Sequence, residues 1–381
     1  MRLCALALCG LLFSGCALFS KDDGTEPVDL VEFEPTVELD SRWKTSVGNG
    51  TGGKVVKLSP SLQGGALYAA SFNGEVIAVD TESGDRLWRR KTGDDISGGV
   101  GTGAELVLYG TGEGEVVALS RENGEELWRR QLTSEIISSP QTDGDRVAVQ
   151  AIDGKLFAMN AQSGEILWQY ENQPPVLTLR GTASPLMTGS AVVAAFANGK
   201  VMAFNPSNGL TLWERRVALP QGRSEIERMV DVDASPLLVG STIYLASYQG
   251  NAMAVSASSG RPLWSQEAST HKDLAVEGGN LFLSQADSVV RALSTTSGQP
   301  RWENDQLLRR NINGPQVLGE YVAVGDYDGY LHLLNQSDGA FAARDRLDRG
   351  GISGGMVTDG SALYVQTDDG DLYALEVEPL D

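Results

Sequence analysis

The sequence predicts an all-β fold: an eight-bladed β-propeller of four-stranded antiparallel blades, closed by the N-terminal strand completing the last blade. Three observations predict it. Seven tryptophans, Trp43, Trp88, Trp128, Trp168, Trp213, Trp264 and Trp302, stand 45, 40, 40, 45, 51 and 38 residues apart. The last six of them end the phrase Gly-x-x-x-Trp, whose glycines are Gly84, Gly124, Gly164, Gly209, Gly260 and Gly298. A turn dipeptide recurs eight times with the same period, at Asn73-Gly74, Glu113-Gly114, Asp153-Gly154, Asn198-Gly199, Gln249-Gly250, Asp287-Ser288, Asp328-Gly329 and Asp369-Gly370. A period near 40 residues marks one supersecondary unit copied many times, and a four-stranded unit of that length is a propeller blade.

Within a unit the strands follow from local pattern. A short apolar stretch such as Val55-Val56-Lys57-Leu58 opens it. Ala66-Leu67-Tyr68-Ala69-Ala70 and Val76-Ile77-Ala78-Val79 flank the Asn-Gly dipeptide as a hairpin, and the dipeptide predicts a type I′ turn. A second turn, Thr81-Glu82-Ser83-Gly84, leads into Arg86-Leu87-Trp88-Arg89-Arg90, the strand that carries the tryptophan. One tryptophan per blade at one position predicts a filler between neighbouring sheets, each indole needing a partner for its N–H.

Closure follows from the ends. The eighth unit stops after Asp371-Leu372-Tyr373-Ala374-Leu375 with no tryptophan strand, and Trp43 is surplus before the first unit. Joining the two completes the ring and removes its open edges. Unit seven departs from the pattern, with Ala343 four residues after Gly339, and looser packing is expected there, partly offset by Phe341.

Three segments are expected: a lipoprotein signal peptide over 1–15, a lipidated flexible tether over 16–40, and the propeller over 41–381. Arg2 precedes an apolar stretch from Leu3 to Phe13 that is too short to span a bilayer. Leu12-Phe13-Ser14-Gly15-Cys16 resembles a bacterial lipobox, with Phe13 where leucine is usual. The resemblance implies cleavage before Cys16 and its acylation. Cys4 and Cys9 would then be lost, and no disulfide could form in the mature chain. Ala17 directly after the cysteine points to the outer membrane. The polar, acidic stretch that follows reads as flexible.

The formal net charge is −20, which excludes the basic stripe that nucleic-acid binding needs and disfavours direct adsorption to anionic lipid. Membrane contact is thus expected through the anchor alone. No catalytic constellation stands out. The two histidines, His271 in a loop and His332 in a strand, fall in different blades without metal-ligand spacing. Gly48-Asn49-Gly50-Thr51-Gly52-Gly53 lacks the Lys-Ser/Thr of a phosphate loop and reads as a flexible lead-in to blade one. No catalytic, cofactor-binding or metal residue is assigned.

The repeat resembles the quinoprotein type, Ala-x-Asp-x-x-x-Gly-x-x-x-Trp, of which Ala78-Val79-Asp80 through Trp88 is an instance. That resemblance implies, as the alternative reading, a dehydrogenase dependent on pyrroloquinoline quinone (PQQ), or another periplasmic ligand-binding propeller. Such enzymes usually stack the cofactor on a disulfide between adjacent cysteines, which this chain lacks.

The connections between blades emerge on the same face as the middle hairpin turns, because successive strands are antiparallel. Two of these connections are long, Gln169 to Gly181 and Val217 to Asp233, and long loops on a rigid scaffold are where function concentrates. They contain Leu177-Thr178-Leu179-Arg180-Gly181 and Asp231-Val232-Asp233. With the lipobox and the repeat, these motifs resemble the BamB family, the propeller lipoproteins of the Gram-negative outer-membrane β-barrel assembly machine. The resemblance implies a non-enzymatic scaffold on the periplasmic face of the outer membrane. It implies a partner, the POTRA region of BamA, and contact with unfolded outer-membrane proteins as a further possibility. Carried over by motif, Leu177, Leu179, Arg180, Asp231 and Asp233 would form the contact. Leu177 and Leu179 would share one side of an extended segment. Two roles are open for the aspartates: contact with the partner, or pairing with Arg180 inside the chain.

Overall fold

The computed structural model describes residues 24–380. They form eight four-stranded antiparallel sheets, seven of them in simple chain order. The eighth runs Val37–Ser46, Asp371–Pro379, Leu363–Gln366, Val357–Thr358, so the N-terminal strand closes the ring as the outer strand of the last blade. Trp43 pairs with Ala374 in that register. The expected start at residue 41 was late by four residues, because Val37 through Asp40 pair with Pro379 through Glu376.

The middle hairpins differ from expectation in turn type. At Asn73-Gly74 the glycine has φ +81°, whereas Asn73 is not among the residues with positive φ, so the turn is not type I′. Gly74 N–H donates to Ser71 O (3.1 Å) and Ser71 N–H to Glu75 O (2.8 Å). This is a three-residue loop, a type I turn followed by a left-handed glycine. One left-handed position suffices, so the preceding residue is free to be Asn, Asp or Glu.

The tryptophans lie between blades, and each indole N–H donates to a backbone carbonyl of the next blade. The acceptors run from Thr81 for Trp43 through Arg121, Ala161, Pro206, Ala257 and Thr295 to Gln336 for Trp302. The glycine of the next blade's last turn lies on the face of the same ring, as Gly124 does on Trp88 and Gly339 on Trp302. Seven junctions are built this way.

The junction between blades seven and eight has neither part. Blade seven carries Ala343 in place of tryptophan, and blade eight has no turn between its last two strands, because they come from opposite ends of the chain. Val37, Leu39, Leu347 and Tyr373 close it together with Ala342 and Ala343. Residues 26–36 run along the outer edge of blade seven, with Leu30 and Phe33 in the cluster that holds Trp302 and Leu307 on the side facing blade six. Phe33 stacks on Phe341 with ring centroids 5.3 Å apart, and Leu30 joins the same apolar cluster. Thr36 N–H donates to Ala342 O (2.9 Å) and Val28 N–H to Leu308 O (3.2 Å). Ala343 is buried in the blade seven–eight cluster, so the place of the missing tryptophan is covered, but not by Phe341, which packs on the side facing blade six. The flexibility expected over 16–40 does not describe residues 26–36, which these hydrogen bonds hold. Cys16 and the signal segment lie outside the described residues.

The glycine-rich stretch before blade one is also pinned. Thr51 N–H donates to Asp368 O (2.9 Å) and Phe72 N–H to Gly50 O (2.8 Å). Gly50 has φ +56°, and a Cβ there would overlap the Asp368 carbonyl, so glycine serves close approach rather than freedom.

Candidate functional site

The face bearing the middle hairpins also carries the blade-to-blade connections, and they meet around the channel mouth. Their inner ends are tied by short hydrogen bonds from backbone to side chain. Ser139 N–H donates to Ser184 Oγ (3.2 Å), Ser184 N–H to Ser235 Oγ (3.1 Å), and Ser235 N–H to Asp273 Oδ1 (2.8 Å). Lys57 bridges to Asp273 at 3.5 Å, joining the connection into blade one with that into blade six. The rim is thus a rigid frame for the loops above it.

The structure brings the two long loops together. In the first, Arg180 has φ +53°, a left-handed conformation that non-glycine residues seldom adopt. Its guanidinium reaches two other connections. Nη2 donates to both carboxylate oxygens of Glu135 (2.9 Å each) and Nη1 to Val55 O (3.0 Å). One side chain thereby links three connections. Half of the Arg180 side chain remains exposed. Leu177 is exposed and Leu179 half-buried, and the segment is not the extended strand expected, because it bends at Val176, Leu177 and Arg180. Val176 and Val55 are 91% and 86% exposed, large apolar side chains standing in water beside the arginine. Ile226 and Leu219 extend the exposed apolar surface on the second loop.

Asp231 and Asp233 lie beneath this surface. They are 0% and 5% exposed, and neither pairs with Arg180, whose carboxylate partner is Glu135. Gly181 packs directly on the Asp233 carboxylate, where a Cβ would overlap it, which explains the glycine that ends the first motif. Burial pushes Asp233 up to about 7, assisted by the neighbouring Asp231 charge and opposed by Lys57. Burial likewise pushes Asp231 up to about 6, opposed by the Leu179 amide. Neither Asp231 oxygen has a hydrogen bond of normal geometry. His271, on the connection into blade six, is held down at about 4 by burial and by the Lys272 and Lys57 charges, and so is neutral near pH 7.

Sequence reading missed Glu135 and Val55. Both lie on connections that show no motif, and only the ring brings them to Arg180. A hint was available in Val55, an apolar residue beside a run of glycines.

The channel beneath the mouth holds a cavity of about 350 Å³ lined by Lys57, Ser139, Ser184, Ser235 and Asp273 among others. Among the described residues that line it there is no aromatic side chain. A flat quinone cofactor needs a planar stacking partner, so these residues do not fit one.

Comparison with known proteins follows this geometry. A family model described as outer membrane protein assembly factor BamB matches residues 40–94, 72–304 and 286–379. A protein of that name from Pseudomonas aeruginosa is 47% identical over 373 residues, covering 98% of each chain. One from Marinobacter adhaerens is 47% identical over 378 residues, covering 99% of this chain and 96% of the relative. Among solved structures, BamB from Moraxella catarrhalis superposes with a TM-score of 0.82 at 29% identity, over 89% of this chain and all of that one. A quinohemoprotein alcohol dehydrogenase from Comamonas testosteroni, at 13% identity and a TM-score of 0.69 over 89% of this chain and 76% of its own, shares the fold alone.

Proposed function

The chain belongs to the family of outer membrane protein assembly factor BamB, and from that premise we propose that it is a non-enzymatic adaptor of the outer-membrane β-barrel assembly complex. In this reading Cys16 carries the lipid, the ring stands on the periplasmic side of the outer membrane, and its loop-bearing face binds the POTRA region of BamA.

The observation that supports it best is the surface around Arg180. Val176, Leu177 and Val55 are exposed apolar side chains grouped at an arginine that a rigid frame presents. Apolar anchors with a charged group at their rim are the composition of a docking hot spot. Leu177, Leu179 and Arg180 make the contact in this reading. Asp231 and Asp233 support it from below: their carboxylates and Gly181 set the height of the first loop above the second.

A binding titration of the purified propeller against the isolated POTRA region tests this. Leu177→Asp is expected to weaken binding tenfold or more, about 1.4 kcal/mol or above, with melting unchanged. Equal affinity for both proteins would exclude this surface as the contact.

A further inference from the structure

The segment that lies along the outer edge of blade seven also decides where the chain leaves the ring. Residues 26–36 run antiparallel to the outer strand of blade seven, Phe341–Arg346. At one end Thr36 bonds Ala342, near the face opposite the loops. At the other, Val28 bonds Leu308, and the Glu26 carbonyl accepts from Arg309 Nε. Leu308 and Arg309 belong to the connection into blade seven, which lies on the loop-bearing face.

The seat is built for this segment. Arg344 Nη1 donates to Val31 O (2.8 Å) and Arg310 Nη1 to Val28 O (3.1 Å). The Arg344 guanidinium lies beside the stacked pair of Phe33 and Phe341, 4.9 and 4.8 Å from their centroids. Behind it the arginines are fixed. Arg344 Nε donates to His332 Nδ1 (2.9 Å), while His332 Nε2 and Arg310 Nε both meet Asp326 Oδ2, at 3.1 and 2.7 Å. Asp326 and His332 are fully buried, so the seat cannot shift without disturbing the core of the blade.

We propose that this strap turns the loop-bearing face toward the membrane. The inference rests on acylation of Cys16, part of the function proposed above. From Cys16 to Val37 a free chain could reach about 75 Å, enough to let either face approach the bilayer; from Cys16 to Glu26 it reaches at most about 35 Å, and it starts from the loop-bearing face. Docking therefore halves the leash and removes one orientation. The anchor leaves beside blade seven, while the surface around Arg180 lies between blades three and four, so both share a face without sharing a place on it.

The test uses the full lipidated protein on vesicles of phosphatidylethanolamine and phosphatidylglycerol that carry a headgroup quencher. Fluorophores are placed singly at Glu113→Cys, on the loop-bearing face, and at Asn208→Cys, on the opposite face. Several-fold stronger quenching at position 113 is expected, falling to parity when Phe33→Ala and Arg344→Ala release the strap. Equal quenching in the strapped protein overturns the inference, and this comparison stands even if the release variant fails to fold. A difference that survives release in a folded ring also overturns it. A mass spectrum without acyl chains overturns the lipoprotein reading and this inference together; acylation with equal quenching overturns this inference alone.

Discussion

Gly84 lies flat against the indole of Trp43, so close that a methyl group on the glycine would sit 2.6 Å from Cγ of the ring. The two residues are 41 positions apart and belong to different blades, the first and the eighth. The glycine and tryptophan of one Gly-x-x-x-Trp phrase therefore do not pack on each other. Each glycine receives the tryptophan of the blade before it, and the Trp43–Gly84 contact closes the ring.

Gly84→Ala should therefore cost more than the loss of a left-handed glycine alone. Its φ is +72°, so strain and overlap add, to ~2–4 kcal/mol. Gly65→Ala is the control. It has φ +76° but nothing within 4 Å, and should cost only ~1–2 kcal/mol. Denaturant unfolding of the two variants checks this, and equal losses would deny the ring contact its role.

Asp326→Asn should be among the most damaging single changes in blade seven. The carboxylate is fully buried and faces both Arg310 and His332. Neutralising it leaves the buried Arg310 guanidinium with only the more exposed Asp328, 3.3 Å away, as counter-charge, a loss of ~3 kcal/mol. The same substitution should raise hydrogen exchange over residues 26–36, because Arg310 also holds the Val28 carbonyl.

Asp233 should make stability fall with rising pH. Its pKa is raised from 3.8 to about 7, so between those values the folded form holds a proton that the unfolded chain has released. Stability linked to it is full below pH 4 and is lost as pH rises toward 7. Asp233→Asn should remove the Asp233 part of this slope, leaving that of Asp231, whose pKa is raised to about 6, and stabilise the protein by ~1–3 kcal/mol near pH 7.5 relative to wild type. Melting curves of both proteins from pH 4.5 to 7.5 measure it. A constant difference across that range would mean that Asp233 is charged throughout.

The Arg180–Glu135 pair separates positioning from contact. Its arginine is half exposed, so the pair should contribute only ~0.2–1 kcal/mol to stability, and Arg180→Glu should stay folded. If Arg180 serves only to hold the loops, the swap Arg180→Glu with Glu135→Arg should restore partner binding. Contact through Arg180 predicts that the swap restores the melting temperature and leaves binding weak.

Much of the fold was legible because it repeats. Trp43 without a unit and a last unit without a tryptophan specify the closing strand. Type I′ turns were misjudged because Asn-Gly fits two loop lengths, and only the hydrogen bond from Gly74 to Ser71 distinguishes them. The strap was hidden for the opposite reason: it occurs once, in a polar segment whose single phenylalanine, Phe33, stacks on Phe341 at the far end of the chain. At the site, Leu177 and Arg180 are exposed, as expected of a loop that connects two blades. The burial of Asp231 and Asp233 was not legible, since a short Asp-x-Asp motif gives no sign of which chain covers it. Glu135 became the partner of Arg180 through ring geometry alone.

The central claim is that the surface around Arg180 recruits the assembly complex. The most direct measurement is co-purification of the tagged, lipidated protein in mild detergent, wild type beside Arg180→Glu, with mass spectrometry of what elutes. The account predicts a β-barrel protein with POTRA domains in the wild-type eluate and its depletion from that of a folded variant. Equal recovery with both would contradict the binding face, and its absence from the wild-type eluate would contradict the adaptor role itself.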